Sequence, residues 1–362
     1  VYLLIRAHDI YIPVPAVGYF IACLGAFVAM FAASMGLVNR DLKRIIAYST
    51  LSQLGYMFVA AGLGAYWVAL FHLMTHAFFK ALLFLGAGNV MHAMHDELDI
   101  HKMGGLGKAM KGTMIMMVIA SIALAGIYPF AGFFSKDKIL EVAFGSDHIF
   151  LWGILFVTAI MTAFYSFRLI MLVFFGEKKY ETLFPGLHPH EAPTFMLVAM
   201  SPLFVLAIIA GFTEHGFIEL VSHAMPIFEP HLHGNTGVIL IGLTTLAVVA
   251  GIAFAVFMYR RGGFSKTLEE RFCYKLLINQ YYIPALYDRF ICQPYERLSY
   301  FFWKHVDLRI VDATVDAIAG GIYQFGENSR VMHSGNLSRM LRWMVVGLIV
   351  IITISLLYVP AK

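Results

Sequence analysis

Residues 66–91 read YWVALFHLMTHAFFKALLFLGAGNVM, an apolar run broken only by His72, Thr75, His76, Lys80 and Asn89. A helix that spans a bilayer needs about 20 mostly apolar residues, and this stretch exceeds that length. It is therefore read as a membrane-spanning helix that carries ionisable side chains at mid-membrane depth. The whole 362-residue chain agrees: 60% of it is hydrophobic and 13% charged, with a mean hydropathy of +0.76. Soluble domains carry roughly 25% charged residues. The net charge of +4 says little about partners. Where lysine and arginine sit matters more than their sum.

Eight segments are long and apolar enough to span, at 13–37, 45–64, 66–91, 113–144, 149–174, 193–213, 236–259 and 340–359. The loops between them alternate in basic charge. Arg40, Lys43 and Arg44 follow the first segment; Lys102, Lys108 and Lys111 follow the third; Lys178 and Lys179 follow the fifth; Arg260, Arg261 and Lys266 follow the seventh. The intervening loops at 62–66, 139–148 and 214–235 lack such clusters. Basic loops stay on the cytoplasmic side, which puts them in the cytoplasm (or an organelle matrix) and the C-terminus outside.

Two regions depart from simple spans. The fourth segment is too long and contains Tyr128-Pro129-Phe130-Ala131-Gly132. Proline removes a backbone donor and glycine loosens the chain, so a helix break is expected there. Breaks inside a bilayer survive only where protein or a hydrated cavity satisfies the freed backbone. Ser135 is placed as the cap of the second half, Lys136–Phe144. The other departure is 260–338, which is not apolar enough to span. In it Leu298, Phe301, Leu308, Val311, Val315, Ile318 and Ile322 recur at helical steps, while Arg297, Lys304, Asp307, Arg309, Asp312 and Asp316 cover much of the remaining surface. This is an amphipathic helix, expected to lie along the cytoplasmic face. The fold class is thus an all-α polytopic membrane protein of about eight spans, one broken, with a long lateral helix before the last. Its regions are expected at 1–213 (helical core), 214–259 (external loop and span), 260–338 (lateral amphipathic region) and 339–362 (anchor).

His72, His76 and Lys80 are spaced four apart and share an arc of about 80° on one helix face. A lysine at the centre of a spanning helix costs roughly 2.5–3.5 kcal/mol on insertion scales. Histidine titrates near neutral pH, so such a column suits stepwise hand-over of protons. The alternative is a pair of hydrogen-bonded core histidines with a snorkelling lysine. Lys136 and Asp137 follow the break, where the positive end of a helix dipole and admitted water would ease proton exchange; the alternative is an anchor at the outer interface. Asp41, Lys43 and Arg44 open the second span, where their charges can serve as the topological anchor, and Tyr48, Ser49, Thr50, Ser52 and Gln53 can line a hydrated path or bind helices together. Arg168 is read as snorkelling at the cytoplasmic end of its span. His215, His223, His231 and His233 in the external loop are too irregular for a metal site.

Cys23, Cys273 and Cys292 are scattered. No phosphate loop, dinucleotide glycine motif, iron–sulfur cysteine set or nucleophile constellation appears. No cofactor, metal or nucleic acid is expected on this chain. Val1–Arg6 reads like the end of an apolar helix already under way, so an upstream part is expected, and a polytopic protein needs no signal peptide.

The stretches NRDLKRIIAYSTLSQLGYM (39–57), FHLMTHAFFKALLFLGAG (71–88) and AGFFSKDKIL (131–140) resemble the antiporter-like subunits of respiratory complex I and their relatives in multi-subunit Na⁺/H⁺ antiporters and membrane-bound hydrogenases. The C-terminal part, with YDRF (287–290), is similar to the subunit L branch of the bacterial NADH–quinone oxidoreductases. The resemblance implies a proton-translocating subunit in a bacterial inner membrane, with any redox chemistry on other proteins. It implies that His72, His76 and Lys80 form the central relay, that Lys136 exchanges protons with the outside, and that Asp137, Lys43 and Asp41 are accessory. It also implies that residues 296–325 brace neighbouring membrane subunits. The family's glutamate–lysine pair on earlier helices has no counterpart here, so the exit half of a channel is expected. A cation/proton antiporter subunit, a membrane-bound hydrogenase subunit and a non-transporting scaffold are the competing readings.

Overall fold

The computed structural model describes residues 1–228, 234–264, 266–330 and 335–358, apart from the side chains of Tyr11 and Lys266. The external-loop residues His231 and His233 lie outside the described set. The longer helices of the first unit, residues 1–281, are α1 (Pro15–Val38), α2 (Leu42–Gly62), α3 (Tyr66–Ala93), α4 (Lys111–Ala125), α5 (Ala131–Gly145), α6 (Ile149–Phe174), α7 (Thr194–Ile209), α8 (Glu214–Val221) and α9 (Thr236–Arg260). The second unit holds a helical run over 283–330, here α10, and α11 (Leu337–Tyr358).

Local chemistry sets these boundaries. Pro15 starts α1 in the first turn, where its missing N–H costs nothing. Asp41 caps α2 by accepting from the Arg44 amide at 2.8 Å. Gly126 ends α4 in the left-handed region at φ 86°, a conformation that favours glycine. Among the described residues, seven helical stretches are long and apolar enough to cross a membrane. They coincide with seven of the eight expected segments, and the sixth runs on to Val221 through a 3₁₀ turn at Ala210–Thr213. The expected break in the fourth segment is present, with α4 and α5 as its halves.

α1 and α2 form an antiparallel pair at very short range. Their contact is built from Gly18, Ala22, Gly25 and Ala29 against Gly55 and Gly62; a Cβ on Gly25 would sit 2.7 Å from the Gly55 carbonyl oxygen. Small residues permit such approach, which in lipid replaces hydrophobic driving force with dispersion. α3 is enclosed by α2, α4, α5 and α7, and α6 packs across α1, α4 and α9. Polar residues of α3 are therefore sealed in the bundle rather than facing lipid. Conversely α9 exposes Val238, Ile239 and Leu246, as a lipid-facing helix should.

In the second unit the helical run starts at Ile283. Lys266–Glu269 and Phe272–Ile278 are separate short helices of the first unit. α10 also changes pitch, with π-helical segments at Asp288–Cys292 and Trp303–Asp312.

Candidate functional site

α2, α3 and α5 meet around a buried polar row. Because α2 and α3 are antiparallel neighbours, the polar positions of α2 fall opposite the ladder of α3 in reverse order. The His72 Nε2 lies 3.0 Å from Gln53 Oε1, and the Lys80 ammonium donates to the Ile46 carbonyl at 3.0 Å and to the Ser49 hydroxyl. His76 lies between them, its ring 6.0 Å from that of His72 and edge-on to Phe79. His72, His76 and Lys80 are 0, 5 and 4% exposed. The ladder read from the spacing is thus an enclosed column rising about 12 Å along α3, and Lys80 does not snorkel.

α5 joins the column through Ser135. Its hydroxyl is 2.8 Å from His72 Nδ1 and 2.8 Å from the Thr75 hydroxyl. Ser135 therefore is not a helix cap. α5 begins at Ala131, four residues earlier, and turns Ser135 inward toward α3.

The next residue, Lys136, is 1% exposed. Its ammonium reaches the Leu124 and Ala125 carbonyls at 3.5 and 3.4 Å and lies 5.4 Å from the Tyr56 ring centroid. This corrects the expected electrostatics. The charge does not face the positive N-terminal end of its own helix; it faces the negative C-terminal end of α4 and an aromatic face. The break makes this possible, because ending α4 at Ala125 frees the carbonyls that Lys136 approaches.

Several buried polar atoms in this row lack a partner among the described residues: His76 Nε2, Gln53 Nε2, Ser52 Oγ and Asp137 Oδ2. Each such group costs about 1–3 kcal/mol. Arg40, Asn89, Ser146 and Trp152 carry the other buried side-chain atoms without a partner among the described residues.

The accessory positions lie elsewhere. Asp41 is the cap of α2, with Arg44 Nε 4.0 Å from its carboxylate, and Lys43 is half-buried beside it at the basic-loop end. Neither joins the row through a described contact. Arg168 is 2% exposed, so it does not snorkel. It donates to the Asn39 and Val38 carbonyls at 2.7 and 3.5 Å and to the Tyr259 hydroxyl at 3.1 Å, with His101 Nε2 at 3.3 Å. It caps the end of α1. In the loop after α3, burial and the neighbouring Arg168 hold His101 down to about 4, so its ring is neutral and accepts from the guanidinium. Sequence reasoning missed Tyr56, Thr75 and the inward role of Ser135. Tyr56 was within reach of a pattern argument, since it lies three residues beyond Gln53 on α2.

No cluster of three or more metal-ligating side chains occurs among the described residues.

Comparison with known proteins places this geometry. The family described as "NADH:quinone oxidoreductase/Mrp antiporter, TM" matches residues 1–162, which contain the whole polar row. The chain is 54% identical over 352 residues to NADH-quinone oxidoreductase subunit L of Campylobacter jejuni, covering 97% of this chain and 57% of that protein. It is 40% identical over 334 residues to the subunit L of Rickettsia bellii (86% and 50%) and 36% identical over 374 residues to that of Mycobacterium tuberculosis (97% and 56%). The chain spans about half the length of these relatives. Its fold is similar to a chain in the structure of the membrane-bound sulfane sulfur reductase, an archaeal respiratory membrane complex. That likeness has a TM-score of 0.52 at 23% identity and covers 93% of this chain and 56% of that one. From its matched residues and its relatives, this chain belongs to the NADH:quinone oxidoreductase/Mrp antiporter family of multi-pass, antiporter-like membrane subunits.

Proposed function

We propose that this chain translocates protons as a membrane subunit of a proton-pumping NADH:quinone oxidoreductase. The observation that carries the reading is the buried row from Lys80 through His76, His72 and Ser135 to Lys136, which crosses from α3 to the broken-helix half α5. Its lysines are held by carbonyls, a hydroxyl and an aromatic face, with no carboxylate in ion-pair contact among the described residues. A buried lysine held by neutral acceptors keeps partners whether it is charged or not, whereas one locked to a carboxylate would not release its proton cheaply. Steps longer than a hydrogen bond, such as the 6.0 Å between the imidazoles, proceed by side-chain rotation or through one water.

In this reading Lys80 sits toward the basic-loop side and Lys136 serves the other. Basic loops face the cytoplasm of a bacterial inner membrane and the C-terminus faces outward. Asp137 assists Lys136, while Asp41 and Lys43 act at the inner mouth. The exposed apolar face of α10, from Leu298 through Phe301, Val311 and Val315 to Ile322, contacts neighbouring membrane-arm subunits along 296–325. No redox group is carried by this chain; electron transfer occurs on partner subunits.

The test is Lys80→Ala and Lys136→Ala in the full-length subunit within its native complex, measuring proton uptake into sealed vesicles and the amount of complex assembled. Loss of a positioned proton-transfer group costs about 10²–10⁴-fold, so uptake per assembled complex should fall to background. Uptake that survives both changes with assembly intact would leave only a scaffold. Uptake that becomes strictly sodium-dependent would favour a cation/proton antiporter.

A further inference from the structure

The row described above stops short of the outer surface. Lys136 and Asp137 are 1 and 5% exposed, and Asp137 Oδ2 is buried with no hydrogen-bond partner. One helical turn further along α5 stands a second buried carboxylate, Glu141, 7% exposed. Residues four apart on a helix bring their Cβ atoms to about 5–6 Å, and the two carboxylates feel each other's charge. Glu141 is ion-paired at 3.0 Å with Lys138, whose side chain is 34% exposed.

A third carboxylate comes from another part of the chain. Gly211 in the 3₁₀ turn after α7 packs directly on Phe134, and the rings of Phe134 and Phe212 are 4.9 Å apart. This contact seats Glu214, the first residue of α8, within electrostatic reach of both Glu141 and Lys138. Glu214 is half-buried and its neighbour His215 is exposed. Burial therefore decreases in steps from Asp137 through Glu141 and Glu214 to solvent, on the side away from the basic loops.

We propose that Glu141 and Glu214 carry protons from Asp137 to the surface, completing the exit of the relay. The proposal rests on the relay reading given above. In the first step the Lys136 ammonium gives its proton through one water to the Asp137 carboxylate, leaving a neutral amine and a carboxylic acid. Asp137 passes that proton to Glu141, which becomes neutral and loosens from Lys138. Glu141 hands it to Glu214, and Glu214 releases it to solvent. Each carboxylate returns to its charged form, and the Lys136 amine accepts the next proton from the His72 side. Lys138 is a positioning residue that restores the charged form of Glu141 between transfers. A purely structural role, in which these ions only tie α5 to α8, is the competing account.

The experiment compares Glu141→Gln, Glu214→Gln, the double change and the conservative Glu141→Asp in the full-length subunit within its native complex. It reads proton uptake into sealed vesicles per assembled complex and its solvent isotope effect in D₂O, with Lys136→Ala run alongside. Glutamine keeps the shape and hydrogen bonds but carries no transferable proton. The expected result is uptake reduced to about a tenth or less in the double variant, a larger isotope effect in each single Gln variant, and rescue by Glu141→Asp. Wild-type uptake in the double variant while Lys136→Ala abolishes it would overturn this proposal and leave the relay standing. Equal losses in Glu141→Asp and Glu141→Gln with an unchanged isotope effect would also overturn it, by showing a structural role. Uptake unaffected by Lys136→Ala would remove the relay itself.

Discussion

Lys80 and Lys136 show how one residue type is retained inside a membrane bundle by two different surroundings. Lys80 leans on the Ile46 carbonyl, which already accepts the Ser49 and Thr50 hydroxyls at 2.8 and 3.1 Å. Lys136 uses the carbonyls bared at a helix end. Arg168 shows the contrasting case of a buried cation with a structural task, since its guanidinium has three carbonyl or hydroxyl acceptors and a neutral imidazole. That imidazole yields a prediction about pH. The folded state holds His101 at about 4, below the ordinary 6.5, mainly through burial and then through Arg168, with Arg40 and Lys179 adding to it and Asp99 opposing. A histidine depressed by folding contributes stability that is complete above about 6.5 and is lost as pH falls toward 4. His101→Gln keeps an acceptor for Arg168 but cannot be protonated. Between pH 7.5 and 5 the wild type should lose roughly 2–4 °C more in Tm than this variant, measured by thermal unfolding in detergent. Equal losses would show that His101 does not govern this corner.

At the scale of elements, the break between α4 and α5 does the most work, and its tightness is testable. A Cβ on Gly132 would lie 1.8 Å from the Ala123 carbonyl oxygen, a backbone atom that cannot move aside. Gly132→Ala should therefore force α5 away from α4, destabilise by about 1–3 kcal/mol as overpacking does, and reduce proton uptake by displacing Lys136. Gly153 in α6 has open space around it, so Gly153→Ala should leave Tm unchanged or slightly raised. Similar Tm for the two variants would contradict the packing account. The break itself was legible in sequence because Pro129 and Gly132 act locally. So were the spans and the one-faced column of His72, His76 and Lys80, which follow from apolar length and a spacing of four. What was not legible depended on partners far along the chain. Ser135 reads as a cap until α3, 63 residues away, supplies His72. Arg168 reads as a snorkelling side chain until α1 offers carbonyls 129 residues earlier. Glu214 reads as part of an external loop until Gly211 on Phe134 brings it to α5.

For the whole molecule, the first unit contains every group of the proposed path, within a helical bundle whose outer helices show lipid their apolar sides. The second unit is a long amphipathic run and an apolar helix, α11, with no buried residues of its own, which suits elements whose partners lie in other subunits. In the proposed function, transport and bracing fall to separate parts of the chain. The claim at the centre is that protons pass through Lys136, and it is tested by the number of protons moved per electron in sealed vesicles holding the complex with Lys136→Gln. The account predicts a ratio clearly below that of the wild-type complex measured in the same vesicles; an unchanged ratio would contradict it.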